Sequence, residues 1–185
     1  LDQEWLDQGM KEEFPILFGE FCELFSSKTS SQVLKTIGEL PEINVMVQQR
    51  LTDKKTKRSI IHGDFRADNI MYSDEQGDKP ISILDWAGAS LSIPTIDLSY
   101  LFISSISVYN IQNYAEEIYN EWLQNVVSLK LYTSEEAKKE FQFSKLMSIN
   151  IAIRWYRWLK NSTDKQLCLL LYEGILRNLA LLSLK

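Results

Sequence analysis

Three polar side chains near the middle of the chain are of the types and spacing that phosphoryl transfer requires. His62-Gly63-Asp64 follows the short apolar run Ile60-Ile61, and Asn69 stands five residues beyond Asp64. A second apolar run, Ile81 to Leu84 with Ser82 inside it, delivers Asp85, followed by Trp86, Ala87 and Gly88. Each polar group sits at the end of, or just beyond, a short β-like segment. A carboxylate such as Asp64 can orient an acceptor hydroxyl and take its proton. An amide oxygen at Asn69 and a carboxylate at Asp85 are hard ligands of the kind that hold Mg2+ against phosphates.

Protein kinases carry H-R-D-L-x-x-x-N and then D-F-G; this chain reads H-G-D-F-R-A-D-N and D-W-A-G. These blocks resemble the aminoglycoside phosphotransferase and choline kinase-like superfamily of small-molecule kinases, whose catalytic loop reads H-G-D-x-x-x-x-N. The continuation Ile93-Pro94-Thr95-Ile96-Asp97-Leu98-Ser99-Tyr100-Leu101 is similar to that family's P-x-x-D-L-A-Y segment. The resemblance covers His62 to Leu101, and the helical tail agrees in character only. It implies transfer of the γ-phosphate of ATP, with Mg2+, to a hydroxyl of a small molecule. Asp64 would be the catalytic base, Asn69 and Asp85 the metal ligands. His62, the single histidine, and Asp97 would support the loop, His62 through its ring and nearby backbone. The implied fold is mainly α with a small β element, the C-terminal lobe of a protein kinase-like fold.

Two departures from protein kinases carry information. Gly63 stands where those enzymes have an arginine that reads a phosphorylated activation loop, and the connection from Asp85 to Asp97 is short. Both favour a small-molecule acceptor over a protein. Arg66, two residues after the base, has two readings of equal weight: a cation for the transferring phosphoryl group, or a surface salt bridge with Asp68.

The acceptor pocket in this superfamily is shaped by helices after the catalytic loop, which makes Arg154, Trp155, Tyr156, Arg157 and Trp158 the candidate pocket residues. Their rings could hold a quaternary ammonium by cation–π contact, although five consecutive residues cannot all face one pocket. An aminoglycoside would ask for an acidic cleft, which Glu116, Glu117, Glu121, Glu135 and Glu136 could supply. The same glutamates read equally as solvated helix faces.

The elements that must position these groups are mostly helical. Phe14, Leu17, Phe18, Phe21, Leu24 and Phe25 recur at helical spacing. Ser30-Ser31 can cap a short helix through Ile37, with Gly38 near its end. Pro41 suits the first turn of another, running to Leu51, and Thr52–Arg58 reads as a solvated loop. Downstream, Asp97 to Val108 reads as a buried helix, and Ile111 to Leu129 as an amphipathic one. A Thr133/Glu136 capping box opens a third helix ending near Leu159, and a last one runs from about Asp164 to Leu184. The domain reading is a single unit, 1–185, with catalytic loop 62–69, metal-binding segment 85–88 and helical subdomain 95–185.

Composition narrows the partners. A hydrophobic content of 45% is ample for a core. A net charge of −5 and a pI near 5.0 argue against nucleic acid as a partner. The leucine-rich tail is interrupted by Glu173, Arg177 and Asn178, so no membrane span is expected. Cys22 and Cys168 read as buried free thiols, and the opening Leu1-Asp2-Gln3-Glu4 lacks the marks of a signal peptide. A cytoplasmic address follows from this reading.

A kinase of this type also has an N-terminal nucleotide-binding lobe, with a sheet, a phosphate-covering loop and a lysine. No such pattern precedes Asp64. The expectation is therefore a C-terminal lobe, inactive by itself, whose partner is the N-terminal lobe of the same protein and whose exposed interface favours self-association. The alternative is a non-catalytic, pseudokinase-like helical binding module.

Overall fold

The computed structural model describes residues 10–73 and 81–184, so the opening Leu1–Glu4 lies outside the described residues. Its architecture is mainly α with a small β element, as expected. The helices are α1 (Met10–Phe25), α2 (Ser31–Gly38), α3 (Leu40–Thr52), α4 (Thr95–Ser105), α5 (Val108–Ser128), α6 (Ser134–Asn161) and α7 (Lys165–Leu182). Between α3 and α4 run four three-residue strands, β1 (Ser59–Ile61), β2 (Ile70–Tyr72), β3 (Ile81–Ile83) and β4 (Ser90–Ser92).

Helix starts follow local chemistry. The Ser30 hydroxyl accepts from the Val33 N–H and starts α2, while Asp164 accepts from Gln166 and Leu167 and starts α7. At α6 the Thr133 hydroxyl accepts from the Glu136 N–H, and the Glu136 carboxylate accepts from the Thr133 N–H.

The 28-residue α6 is the spine. Ile149, Ile153 and Tyr156 pack with Phe14, Leu17, Phe21 and Phe25 of α1, with α2 and α3, and with Ile175 and Leu179 of α7. Phe141, one face away, joins Phe102 and Ile103 of α4 and Ile111 of α5 in a second core. Two polar links tie α3 to α6: the Arg50–Glu140 ion pair and a 2.6 Å bond from Asn150 Nδ2 to Asn44 Oδ1. Among the described residues no helix is long and apolar enough to cross a membrane.

The strands are nested. Outer β1 and β4 pair antiparallel (Ser59↔Ser92, Ile61↔Ser90), and inner β2 and β3 do the same (Ile70↔Ile83, Tyr72↔Ile81). The segments between an outer strand and its inner neighbour, 62–69 and 84–89, are thereby forced alongside one another.

Several local expectations are corrected. The apolar stretch Asp97–Val108 is not one helix: α4 stops at Ser105, and the Ser107 hydroxyl accepts from the Asn110 N–H to begin α5. Strands β2 and β4 escape a pattern-based reading because three residues are too few to show a period. Cys22 and Cys168 are free but only half-buried. Thr52–Arg58 is pinned rather than simply solvated. Buried Thr56 donates to the Arg50 carbonyl (2.9 Å), and Lys57 Nζ reaches Glu136 (2.9 Å) and the Leu131 carbonyl (3.2 Å).

Glu136 therefore closes the α6 cap and anchors that loop. The Thr133 backbone N–H first, and then Lys57, hold its carboxyl down at about 2, against an ordinary 4.5. A lowered value in the folded protein adds stability that is present above pH 4.5 and is lost as pH falls through about 2. Glu136→Gln keeps an acceptor for the cap but cannot titrate. Melting temperatures at pH 5 and pH 3 should therefore fall less in this variant than in the parent. Equal falls would remove Glu136 from the acid response.

Candidate active site

Helix α4 is the shelf on which the site rests. Its own position is fixed by Thr95 Oγ1 donating to the Glu140 carbonyl (3.0 Å), by the Ser99–Ser144 hydroxyl pair (2.6 Å) and by Arg177 donating to the Ser104 carbonyl (2.9 Å). In its first turn, where the helix dipole favours negative charge, Asp97 accepts two backbone N–H groups: His62 N to Oδ2 (2.6 Å) and Gly63 N to Oδ1 (3.0 Å). At its far end Ser105 Oγ accepts the Ala67 N–H (2.8 Å). One helix thus holds loop 62–69 near both ends.

The buried His62 ring joins this loop to the Asp85 segment. Its Nε2–H donates to the Leu84 carbonyl (2.7 Å), and Nδ1 accepts the Asp64 N–H (3.3 Å), which selects the tautomer protonated on Nε2. Trp86 lies 4.8 Å from the imidazole, centroid to centroid. Gly63 has φ +82, and a Cβ there would lie 2.3 Å from the Gly88 carbonyl oxygen, so only glycine fits where the two loops touch.

Asp64 is half-buried, and its partners orient it. Asn69 Nδ2 donates to the Asp64 carbonyl (2.8 Å) and to its carboxylate Oδ2 (3.2 Å). The Arg66 guanidinium lies 3.4 Å from the same Oδ2 and 3.6 Å from Asp68, so both carboxylates share this cation. Tyr100, on α4, is a site residue that motif reading missed. Burial raises its phenol above the ordinary value, and so do the charge of Asp64 and a side-chain hydrogen bond to it. The signal was its place three residues after Asp97, one helical turn along the same face.

The Asp85 segment is bonded to the loop through the Leu84 N–H, which donates to the Asn69 carbonyl (2.8 Å). Asp85 itself is left-handed, φ 58 and ψ 61. Aspartate tolerates that region better than most residues, yet it remains a strained conformation of the sort that clusters at functional sites. Among the described residues no three His, Cys, Asp or Glu side chains gather as a closed metal cage. The donor set nonetheless suits Mg2+, which takes one or two protein oxygens and completes its shell with water and substrate phosphate. Asp85 offers a carboxylate; Asn69, with Nδ2 committed to Asp64, offers Oδ1.

A cavity of about 360 Å³ opens beside the loop, between α3, α4 and α6. Gly63 and Tyr100 line its end nearest Asp64, and Arg154, Trp155 and Trp158 line the α6 wall. Trp155 is seated against α7 at Gly174, where a Cβ would come within 2.3 Å of the indole. The other two candidate pocket residues lie elsewhere. Tyr156 is buried edge-on to Phe21 in the α1–α6 core, and Arg157 pairs with Glu13 at 3.3 Å. Glu116, Glu117, Glu121 and Glu135 are exposed and Glu136 serves its cap, so none of these five lines the cavity.

The phosphotransferase enzyme family model matches residues 28–132, from α2 to the approach of α6. Acyl-CoA dehydrogenase family member 11 of Pongo abelii is 28% identical over 86 residues, 44% of this chain and 11% of that protein. The Homo sapiens protein of the same name is 24% identical over 98 residues, 50% of this chain and 12% of its own length. The matched part is thus about a tenth of those relatives. No solved structure matches. The cavity wall on α6 falls outside the family match.

If Asp97 holds the loop, Asp97→Ala should accelerate amide hydrogen exchange at His62 and Gly63 by roughly 10–100-fold, the worth of a hydrogen bond to a charged group. Asp97→Asn, with one remaining acceptor, should fall between. Unchanged exchange at both amides would show that the loop is held without Asp97.

Proposed function

Because the chain belongs to the phosphotransferase enzyme family, we propose that it is the catalytic half of an ATP- and Mg2+-dependent kinase that phosphorylates a hydroxyl of a small molecule. The observation that carries this reading is the nested strand pairing, which sets the Asp64 loop and the Asp85 segment alongside one another. When bound, Mg2+ supplies positive charge against the phosphates. Asp85 and Asn69 Oδ1 would hold it. Asp64 orients the acceptor hydroxyl and takes its proton, and the two bonds from Asn69 Nδ2 keep that carboxylate in place. Arg66, already beside Asp64, brings a cation to the edge of the transferring group. The acceptor approaches through the cavity whose near end is Gly63 and Tyr100.

The nucleotide would be covered by a second lobe of the same protein. Support comes from the surface of the two strand pairs. Ile60, Met71, Tyr72, Ile81, Ile83, Leu84, Trp86 and Leu91 are all exposed, an apolar concentration unusual for a free surface. A cytoplasmic address belongs to the same reading and fits two free thiols.

In the full-length protein, Asp64→Asn should lower kcat by roughly 10²–10⁴-fold, with a much smaller change in KM. Single-turnover assays check this, and near-parental turnover would end the assignment. Asp85→Ala should weaken nucleotide binding only when Mg2+ is present; an unaltered Mg2+ dependence would take Asp85 out of the site. If no phosphoryl transfer is found in the full-length parent, the non-catalytic module becomes the better reading.

The 185-residue chain alone should self-associate through its uncovered strand surface. Sedimentation reads this directly, and Ile60→Lys with Leu91→Lys should return it to monomer. A monomeric parent at high concentration would count against a lobe interface there.

A further inference from the structure

We infer that the α3–α4–α6 cavity selects a hydroxylated acceptor whose distal group is anionic, or at least uncharged, and that Arg154 reads that group. The inference rests on the proposed phosphotransferase reading and narrows it to a substrate class.

Charge is the first argument. Among the described residues Arg154 is the one ionisable cation on the cavity wall, and no aspartate or glutamate lines it. Its guanidinium lies 5.5 Å from the Trp158 ring, a cation–π contact that fixes its position without neutralising it. Among the described residues it has no ion pair. Asp64, whose loop reaches the cavity at Gly63, is already shared with Arg66 and Asn69. A polycationic or quaternary ammonium acceptor would therefore meet an uncompensated like charge beside the Trp155 and Trp158 indoles. A carboxylate would meet a planar donor fork suited to it.

The second argument is independent of charge. Asn44 and Asn150 are 7% and 3% exposed, line the same cavity, and are bonded to one another. That single bond leaves Asn44 Nδ2 and Asn150 Oδ1 without partners among the described residues. Turning both amides over exchanges the two roles but still leaves one donor and one acceptor. Buried amide atoms left unpaired are costly, and a hydroxyl or a carboxamide, which both accepts and donates, has the chemistry such a pair asks for. Trp155, Met147 and Ile151 give the wall an apolar share that suits a hydrocarbon or aromatic body, and Ser99, Ser144 and Ser148, which also line it, are hydrogen-bonded within the protein. The acceptor so described is an amphiphilic alcohol bearing an acidic or amide group.

Three probes share one phenyl ring and one hydroxyl and differ in charge: mandelate, mandelamide and 2-amino-1-phenylethanol. Titration of each into the 185-residue chain without nucleotide should give mandelate the tightest binding. Mandelamide should come next and the amine weakest, with on the order of tenfold or more between the extremes. Arg154→Gln should bring mandelate to the level of mandelamide and leave mandelamide within about twofold. Arg154→Lys should keep most of the preference for mandelate. Tightest binding by the amine, an order unmoved by Arg154→Gln, or binding of none of the three overturns the inference. Because no ATP is present, the result is separate from catalysis. A chain that shows this charge order yet transfers no phosphate would lose the kinase reading while keeping the anion-reading cavity.

Discussion

The site depends on one carboxylate that touches neither substrate nor metal in any proposed step. Asp97 takes the N–H groups of two consecutive residues, His62 and Gly63, just as the chain leaves a strand and turns left-handed. Those two donors have no strand partner there, and in a half-buried loop they would otherwise go unmet. The carboxylate can do this because α4 is itself immobilised through Thr95, Ser99 and Ser104 against α6 and α7. The position of Asp64, one residue on, is therefore inherited from the helical core. The Asp85 segment inherits it at second hand, through the His62 ring and the Gly63–Gly88 contact.

The parts of this arrangement legible in the sequence were those whose chemistry is local. Capping at Ser30 and Thr133, the start of the last helix near Asp164, the Pro41 start and the amphipathic faces of α1 and α5 each depend on residues within a turn or two. The candidates Asp64, Asn69 and Asp85 could be singled out because a motif fixes their order and spacing. Strands β2 and β4 could not, since their pairing is determined by what closes around them. Nor could the break between α4 and α5, where one serine preferring to cap outweighed a mostly apolar run.

Tyr100 and the cavity were harder still. Tyr100 matters only because α4 lies against the Asp64 loop, and helical spacing from Asp97 was the sole hint. Of the five neighbours Arg154 to Trp158, a helix can turn only a subset to one side, and which side depends on α3 and α7 packing around α6. Gly174 on α7 makes room for Trp155, a relation that no linear pattern records. Glu116, Glu117, Glu121 and Glu135 fell on solvent for the complementary reason. Charged residues stay on helix faces that the core does not need.

The two strand pairs have three residues per strand and little apolar burial, whereas the helices share two continuous cores. Cooperative units in proteins follow such differences in contact density. The strand pairs therefore form a foldon of lower local stability, able to open and close while the bundle stays intact. A thermal transition followed by helical ellipticity would report the bundle and pass over the region that carries Asp64 and Asp85. Covering that region with another lobe would raise its local stability to that of the bundle, so that assembly and ordering of the site become one thermodynamic event.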